Sequence, residues 1–182
     1  MEFKPQIKQL KTGCSVRIRI PRIVNAQHLL DLKRSYIRNT STLPMTLDEY
    51  SNDVEKEEKL IIKYTESSNS ILLVADINNE LVGNIDLTGS DRSKMSHTAM
   101  LGIGISEKWR NQGLGRLLIE SVINWARNHT EIEIIWLDVY ASNELGYNLY
   151  KNTGFELSGI IPDFSKEGNT YINKIQMFQR IK

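Results

Sequence analysis

The chain has a single cysteine, Cys14, among its 182 residues, so it cannot form a disulfide within itself. Cys14 has no second cysteine or histidine close by in the sequence, and we therefore predict no metal site around it. A lone thiol fits the reducing cytoplasm and is more often an idle or buried side chain than a nucleophile.

The sequence also lacks a long apolar run and an excess of charge of either sign. No window approaches the roughly 18 apolar residues that a membrane span requires, and the first residues do not form a signal peptide. The 23 Lys and Arg residues nearly balance the 22 Asp and Glu residues, so composition indicates neither nucleic acid nor an anionic membrane as partner. We expect a cytoplasmic protein in which any anion site is local.

The hydrophobic content of 40% is enough to build one core. Alternating and helical spacings of apolar residues give the element order β-α-α-β-β-β-α-β-α-β-β. We predict a single domain over residues 1–182, with its core at about 15–180, in which a mixed sheet carries helices on its faces. The elements predicted first are a strand at 15–20, a helix at 22–38 and a second helix that runs from a capping box at Thr46 and Glu49 to about Tyr64.

Two pairs of small or polar residues mark unusual backbone. Asn78 and Asn79 separate two β-rich runs and tolerate the positive φ of a tight hairpin. Gly102 and Gly104 interrupt the strand "HTAMLGIGIS", which indicates either a bulge or a backbone approached closely by another group.

A second glycine pair, Gly113 and Gly115, lies in "EKWRNQGLGRLL" just before an amphipathic helix. A helix start presents unpaired N–H groups, and glycine lets a phosphate approach them, with Lys108, Arg110 and Arg116 adding charge. The dinucleotide fingerprint fails because Leu118 replaces its third glycine, and the Walker pattern fails because Gly115 is not followed by Lys and Ser or Thr. The residues alone leave open a pyrophosphate site or a simple chain reversal.

Two motifs together resemble one family. Arg110, Gly113 and Gly115 form R-x-x-G-x-G between a strand and a helix, and "NELGYNLYKNTGF" follows one strand later. This combination resembles the GNAT (Gcn5-related N-acetyltransferase) superfamily. The resemblance implies an α/β (α+β) fold whose mixed, mostly antiparallel sheet is splayed at the acetyl-CoA strand, with helices on both faces.

The resemblance also implies a binding site for acetyl-CoA as acyl donor, with no metal. The strand before the loop would pair its backbone with the pantetheine arm, and the loop amides would hold the pyrophosphate. Asn143 matches the asparagine that reaches the pantetheine or phosphate region, and Tyr150 matches the tyrosine near the thioester sulfur. The predicted cofactor-binding residues are Leu101, Ile103, Ile105, Arg110, Asn111, Gln112, Gly113, Leu114, Gly115, Arg116, Asn143 and Tyr150.

Acetyl transfer to an amine needs an uncharged amine, a donor to the oxyanion and a proton source for the thiolate. Tyr150 is the predicted catalytic acid, and a strand amide near Ile103 or Gly104 is the predicted oxyanion donor. Without the family pattern, Tyr150 would be read as a core residue of a short helix.

The base is less evident from the residues. Many members of the family carry a glutamate on the strand before the loop, where this chain has Met100 and Leu101. This difference favours proton removal through water, which His97, Asp86 or Glu80 could polarise.

We predict an N-acetyltransferase that acts on a primary amine of a small molecule or a protein N-terminus by direct attack in a ternary complex. Two alternatives stay open: a catalytically weak CoA-binding sensor of the same fold, and a plain nucleotide-binding protein. The acidic run at residues 48–58 is interleaved with lysines, which is typical of a solvated helix face. A homodimer is possible, and the sequence identifies neither the interface nor the acceptor.

Overall fold

A computed structural model describes residues 3–38 and 40–182. In this part of the chain, eight strands form one sheet in the order β1-β2-β3-β4-β5-β6-β8-β7, accompanied by four α-helices. The elements are β1 Gln6–Gln9, β2 Ser15–Arg19, α1 Ala26–Arg38, α2 Val54–Glu66, β3 Ile71–Ile77, β4 Glu80–Gly89, β5 Thr98–Ile105, α3 Leu114–His129, β6 Ile134–Tyr140, α4 Glu144–Lys151, β7 Glu156–Glu167 and β8 Thr170–Arg180.

The sheet is mixed and mostly antiparallel, as predicted. Its neighbouring strands run antiparallel except for β5 and β6, which are parallel because helix α3 carries the chain from one to the other. The ladder of this single parallel pair, in the centre of the sheet, is short and spans only Thr98 to Met100 on β5.

Helices cover both faces of the sheet, which confirms that prediction. On β3, Leu73 and Ala75 belong to the core shared with α3, whereas the alternate residues Leu72 and Val74 pack with α1 and α2. This division follows from the period of two in a strand. The apolar stripe predicted on α3 packs in the first of these cores, where Leu117 is partly buried and the other members are buried: Leu114, Leu118, Val122, Trp125 and Ala126.

One strand was not predicted, and the predicted starts of two helices were wrong. Strand β1 was not predicted, and it lies at the sheet edge against β2. Helix α1 begins at Ala26, after a short 3₁₀ turn at Ile23–Asn25. The predicted capping pair does form, since the Thr46 N–H donates to Glu49 Oε2 over 2.7 Å, but it closes only a local turn. Helix α2 begins at Val54, with Asp53 as its N-cap.

The hairpin turn predicted at Asn78 and Asn79 agrees with the structure. Asn78 and Asn79 have φ values of +51° and +67° in the β3–β4 hairpin, and Gly154 has φ +96° in the turn after α4. None of the described helices is both long and apolar enough to cross a membrane.

Candidate active site

Strands β5 and β6 separate in the middle of the sheet. Their pairing is limited to residues Thr98 to Met100 on β5. Beyond Met100, β5 stays paired with β4 as far as Ile105, while β6 continues along β8. Within the described chain, no strand therefore covers the β6-facing edge of β5 after Met100. Backbone groups at such an edge can hydrogen-bond an extended ligand.

The strand residues predicted to contact pantetheine lie on this open segment. Leu101 points its side chain into the core beneath α3, where it is buried. The carbonyl of Ile105 accepts a hydrogen bond from Arg110 Nε at 3.1 Å, so the protein itself engages that group. The backbone of Leu101 and Ile103 thus remains the better candidate for ligand pairing.

The glycine loop turns sharply into α3. Asn111 has φ +61° and Gly113 has φ +90°, a left-handed conformation that glycine adopts without a steric penalty. The first hydrogen bond of the helix is from Leu117 N–H to the Gly113 carbonyl, at 3.2 Å. The amides of residues 114–116 therefore precede the helical ladder and form the positive end of the helix, where an anion is favoured.

The cations predicted at the edge of the loop mostly contact the protein. Arg110 is part-buried, and its Nε–H donates to the Ile105 carbonyl at the end of β5. Lys108 pairs with Glu80 at 2.7 Å. Arg116 donates to the Asn152 carbonyl at 2.9 Å, but it stays half-exposed in the first turn of α3. Of these cations, Arg116 is the one best placed to meet a ligand at the helix start.

Sequence reasoning missed Lys11, which lies in the turn between β1 and β2. Its N–H donates to the Gln112 carbonyl at 3.0 Å, which docks this turn on the glycine loop. A Cβ built on Gly113 would lie 3.4 Å from Lys11 Cγ. Because β1 itself was not predicted, the sequence carried no signal that would bring Lys11 to the loop.

Gly115 has a packing role that its motif does not reveal. A Cβ at this position would lie 2.7 Å from Leu149 Cδ2, so the absence of a side chain lets α3 approach α4. Asn143, predicted to reach the cofactor, caps α4 by accepting the Gly146 N–H at 2.9 Å. A Cβ on Gly146 would lie 2.7 Å from the Asn143 amide nitrogen, so this glycine gives the cap its room.

Tyr150 lies on α4 and is 8% exposed. Its ring contacts Phe155 edge to face, with 6.0 Å between centroids. Burial raises the pKa of the Tyr150 hydroxyl to about 12, so the phenol is neutral and remains a hydrogen-bond donor throughout the physiological pH range.

The three groups considered for activating a water lie in different places. Glu80 is at the tip of the β3–β4 hairpin, in its ion pair with Lys108. His97 precedes β5, and its carbonyl accepts the N–H groups of Glu133 and Ile134. Only Asp86 lies over the open segment of β5. Desolvation raises the pKa of this part-buried carboxyl above its usual range.

Part of the acidic run is buried instead of solvated. Glu57 on α2 pairs with Lys33 on α1 at 2.8 Å and also accepts the Tyr50 hydroxyl. Glu55 and Lys59, in contrast, form a long and well exposed pair. Glu57 therefore joins the two helices beside the sheet and does not belong to a water-facing surface.

A comparison with known protein families finds one that matches this chain. The family model described as "Acetyltransferase (GNAT) family" matches residues 36–155, about two thirds of the chain. The chain belongs to this GNAT family. The match contains both the glycine loop and α4, and it confirms the resemblance drawn from those two motifs.

One relative of this GNAT protein is named as an amino acid N-acetyltransferase. The L-amino acid N-acetyltransferase AaaT of Escherichia coli (strain K12) is 29% identical over 105 residues, which cover 58% of this chain and 65% of AaaT. The matched part is thus slightly less than two thirds of that relative.

Solved structures show the same fold. An acetyltransferase of the GNAT family from Streptococcus pneumoniae has a TM-score of 0.87 and 26% identity, covering 92% of this chain and 99% of its own. The yncA protein of Salmonella typhimurium, solved with its cofactor acetyl-CoA, has a TM-score of 0.81 and 14% identity, covering 92% and 94%. The predicted GNAT fold is therefore confirmed.

Proposed function

We propose that this GNAT protein is an acetyl-CoA-dependent N-acetyltransferase that acts on a primary amine of a small molecule or a protein N-terminus. The observation that carries the proposal is the open edge of β5 after Met100, which leads directly into the Gly113 turn and the start of α3. An extended thioester ligand with a pyrophosphate fits both parts at once, because the edge offers backbone hydrogen bonds and the helix start favours an anion.

In this proposal, the amides at the start of α3 bind the pyrophosphate, and the backbone of Leu101 and Ile103 binds the pantetheine arm. Arg116 supplies a positive charge near the loop. These roles depend on main-chain groups more than on side chains, so we expect glycine at position 113 to matter more than the identity of its neighbours.

The transfer itself is a direct attack of the amine on the thioester in a ternary complex. A backbone N–H of β5 near Ile103 stabilises the oxyanion, and Tyr150 donates a proton toward the departing sulfur. Cys14, the only cysteine of the chain, lies near the start of β2 and is not assigned an acyl-enzyme role. Replacement of Cys14 by Ser is therefore expected to leave turnover unchanged, whereas a covalent route through this thiol would lose it.

The acceptor is tested with a free-thiol release assay. Acetyl-CoA is offered with separate panels of amino acids, polyamines, aminoglycosides and N-terminal peptides. AaaT, named as an L-amino acid N-acetyltransferase, makes amino acids the first panel. We expect amine-dependent thiol release above the rate without amine, and mass spectrometry should show an acetylated amine.

A matched pair of outcomes separates the proposal from a CoA-binding sensor. Binding of acetyl-CoA without thiol release on any panel would favour the sensor over the enzyme. Absence of both binding and release would refute the assignment of the β5 edge and glycine loop as an acetyl-CoA site.

A further inference from the structure

The Asp86 carboxylate occupies the space that a side chain at position 102 would fill. Asp86 on β4 is paired in register with Gly102 on β5. A Cβ built on Gly102 would lie 2.9 Å from Asp86 Oδ1, closer than real Cβ contacts. Glycine at 102 is therefore what lets this carboxylate lean over β5.

Hydrogen bonds hold the carboxylate from one side. The Tyr64 hydroxyl donates to Asp86 Oδ2 at 3.0 Å, and Thr88 Oγ1 contacts the same oxygen at 3.3 Å. In both of these side-chain hydrogen bonds, Oδ2 is the acceptor. The other oxygen, Oδ1, is the nearer one to Gly102, at 2.9 Å from a Cβ built there compared with 3.3 Å for Oδ2.

The position of Gly102 places the Asp86 carboxylate beside the open segment of β5. β5 loses β6 as its neighbour after Met100, so Gly102 lies two residues into the open segment. A carboxylate above Gly102 is consequently next to the stretch of strand assigned to the thioester arm. It approaches from the face of the sheet that carries α1 and α2.

We propose that Asp86 is the proton acceptor for the incoming amine in this active site. The inference rests on the proposed N-acetyltransferase function and adds to it the base that β5 itself does not supply, since Met100 and Leu101 are apolar. The carboxylate comes from the neighbouring strand and reaches the site through the gap at Gly102.

The step is balanced in protons and electrons. One N–H bond of the substrate ammonium breaks, and its proton moves to Asp86 Oδ1. The freed lone pair forms a bond to the thioester carbonyl carbon, and the C–S electron pair leaves on sulfur. Sulfur takes a proton from the Tyr150 hydroxyl, which regains one from the new amide nitrogen. Asp86 then releases its proton to solvent.

The electrostatic surroundings favour proton uptake by the Asp86 carboxylate. Burial raises the pKa of Asp86, and the hydrogen bond from Tyr64 and the charge of Lys33 offset this only in part. Tyr36 on α1 is a further titratable group near Asp86, and the Asp86 charge contributes to raising the pKa of its hydroxyl. A raised pKa means that Asp86 is protonated and inactive at low pH, and that activity rises as pH passes upward through this value.

The test compares the pH profiles of kcat/KM for the wild type and Asp86→Asn with an alkylamine acceptor, from pH 4.5 to pH 10. At neutral pH, we expect kcat/KM of the variant to be about 10²- to 10⁴-fold lower than that of the wild type, which is the usual contribution of a positioned base. The ratio of wild type to variant should then fall about tenfold per pH unit, because the variant depends on amine already deprotonated in solution, with a pKa near 10. A purely structural role would give a constant ratio.

Two further variants and one control make the result interpretable. Gly102→Ala should displace the carboxylate and reproduce the pH-dependent loss. Gly159→Ala on β7 is its control, because a Cβ there has nothing within 4 Å. Tyr64→Phe removes a hydrogen bond that lowers the Asp86 pKa, so the acidic limb of the profile should move to higher pH. Retained thermal stabilisation by CoA shows that each variant is folded.

The outcomes are distinct. A wild type that transfers acetyl to an amine and a ratio that stays constant with pH would overturn the role of Asp86 and leave the proposed function standing. An unchanged kcat/KM in Asp86→Asn at neutral pH would do the same. A wild type that binds acetyl-CoA but transfers to no amine would overturn the proposed function itself, and this inference with it.

Discussion

Replacement of Gly113 by valine tests the glycine loop most directly. Gly113 has φ +90° at the start of α3, and an added Cβ would lie 3.4 Å from Lys11 Cγ. Valine therefore meets two obstacles at this position. A branched side chain disfavours the left-handed backbone, and its methyl groups crowd the surface where the loop, Lys11 and the proposed pyrophosphate meet.

The expected magnitudes separate folding from binding. Left-handed strain in a residue with a Cβ costs about 1–2 kcal/mol, which lowers Tm by about 2–8 °C in a chain of this size. In the wild type, CoA at 100 times its Kd adds about 2.7 kcal/mol and should raise Tm by about 5–11 °C. Gly113→Val should show the first effect and lose the second.

The assay is a thermal melt with and without CoA, and Gly168→Val is the control. Gly168 lies in the β7–β8 turn with φ +59°, and an added Cβ has nothing within 4 Å. This variant should suffer similar strain but keep the full stabilisation by CoA. A Gly113→Val protein that is stabilised by CoA as strongly as the wild type would refute the assignment of the loop as the pyrophosphate site.

Three other variants test separate parts of the site. Tyr150→Phe should keep CoA affinity and lower kcat by about 10²-fold or more; unchanged turnover in a steady-state assay would remove Tyr150 from the acid role. Lys11→Met should weaken CoA binding about two- to fivefold by titration calorimetry, and the difference should shrink in high salt; an equal loss at all salt concentrations would contradict a charge contact. Lys33→Met leaves Glu57 as an unpaired buried charge and should cost about 3–5 kcal/mol in urea unfolding, whereas Lys59→Met in an exposed pair should have little effect.

Local patterns predicted most of the fold because they depend on neighbouring residues. The period of apolar residues located α3, and Asn78 and Asn79 located a hairpin whose positive φ values they tolerate. Strand β1 was not predicted because its residues form no such local pattern. Its one large apolar residue, Ile7, is 74% exposed, so this edge strand has no buried face that would leave a pattern in the sequence.

The start of α2 shows a different limit. Thr46 and Glu49 form the predicted capping contact, yet the chain does not continue as a helix. A capping pair stabilises about one turn, whereas a helix persists when its apolar stripe packs. Ile61 provides such packing only for the segment that begins after Asp53. Propensity alone could not choose between the two starts.

In the candidate site too, local features could be predicted from the sequence and long-range contacts could not. Main-chain roles follow from glycine spacing, so the sequence located the turn at Gly113. The side chains that surround the site come from distant elements: Lys11 arrives through an edge hairpin, and Asp86 through the register of β4 with β5. The sequence contained Asp86 among several possible bases but could not rank them, since the choice depends on a register set by the whole sheet.

The glycines of β5 link these observations physically. The sequence left open a bulge or a close approach at Gly102 and Gly104, and the pairing of β4 with β5 runs through both positions without a register shift. The close approach is the correct alternative. A Cβ on Gly104 would clash with the Tyr36 ring, just as one on Gly102 would meet Asp86. The strand whose edge is open to a ligand thus also lets side chains from α1 and β4 approach its face closely, beside that edge.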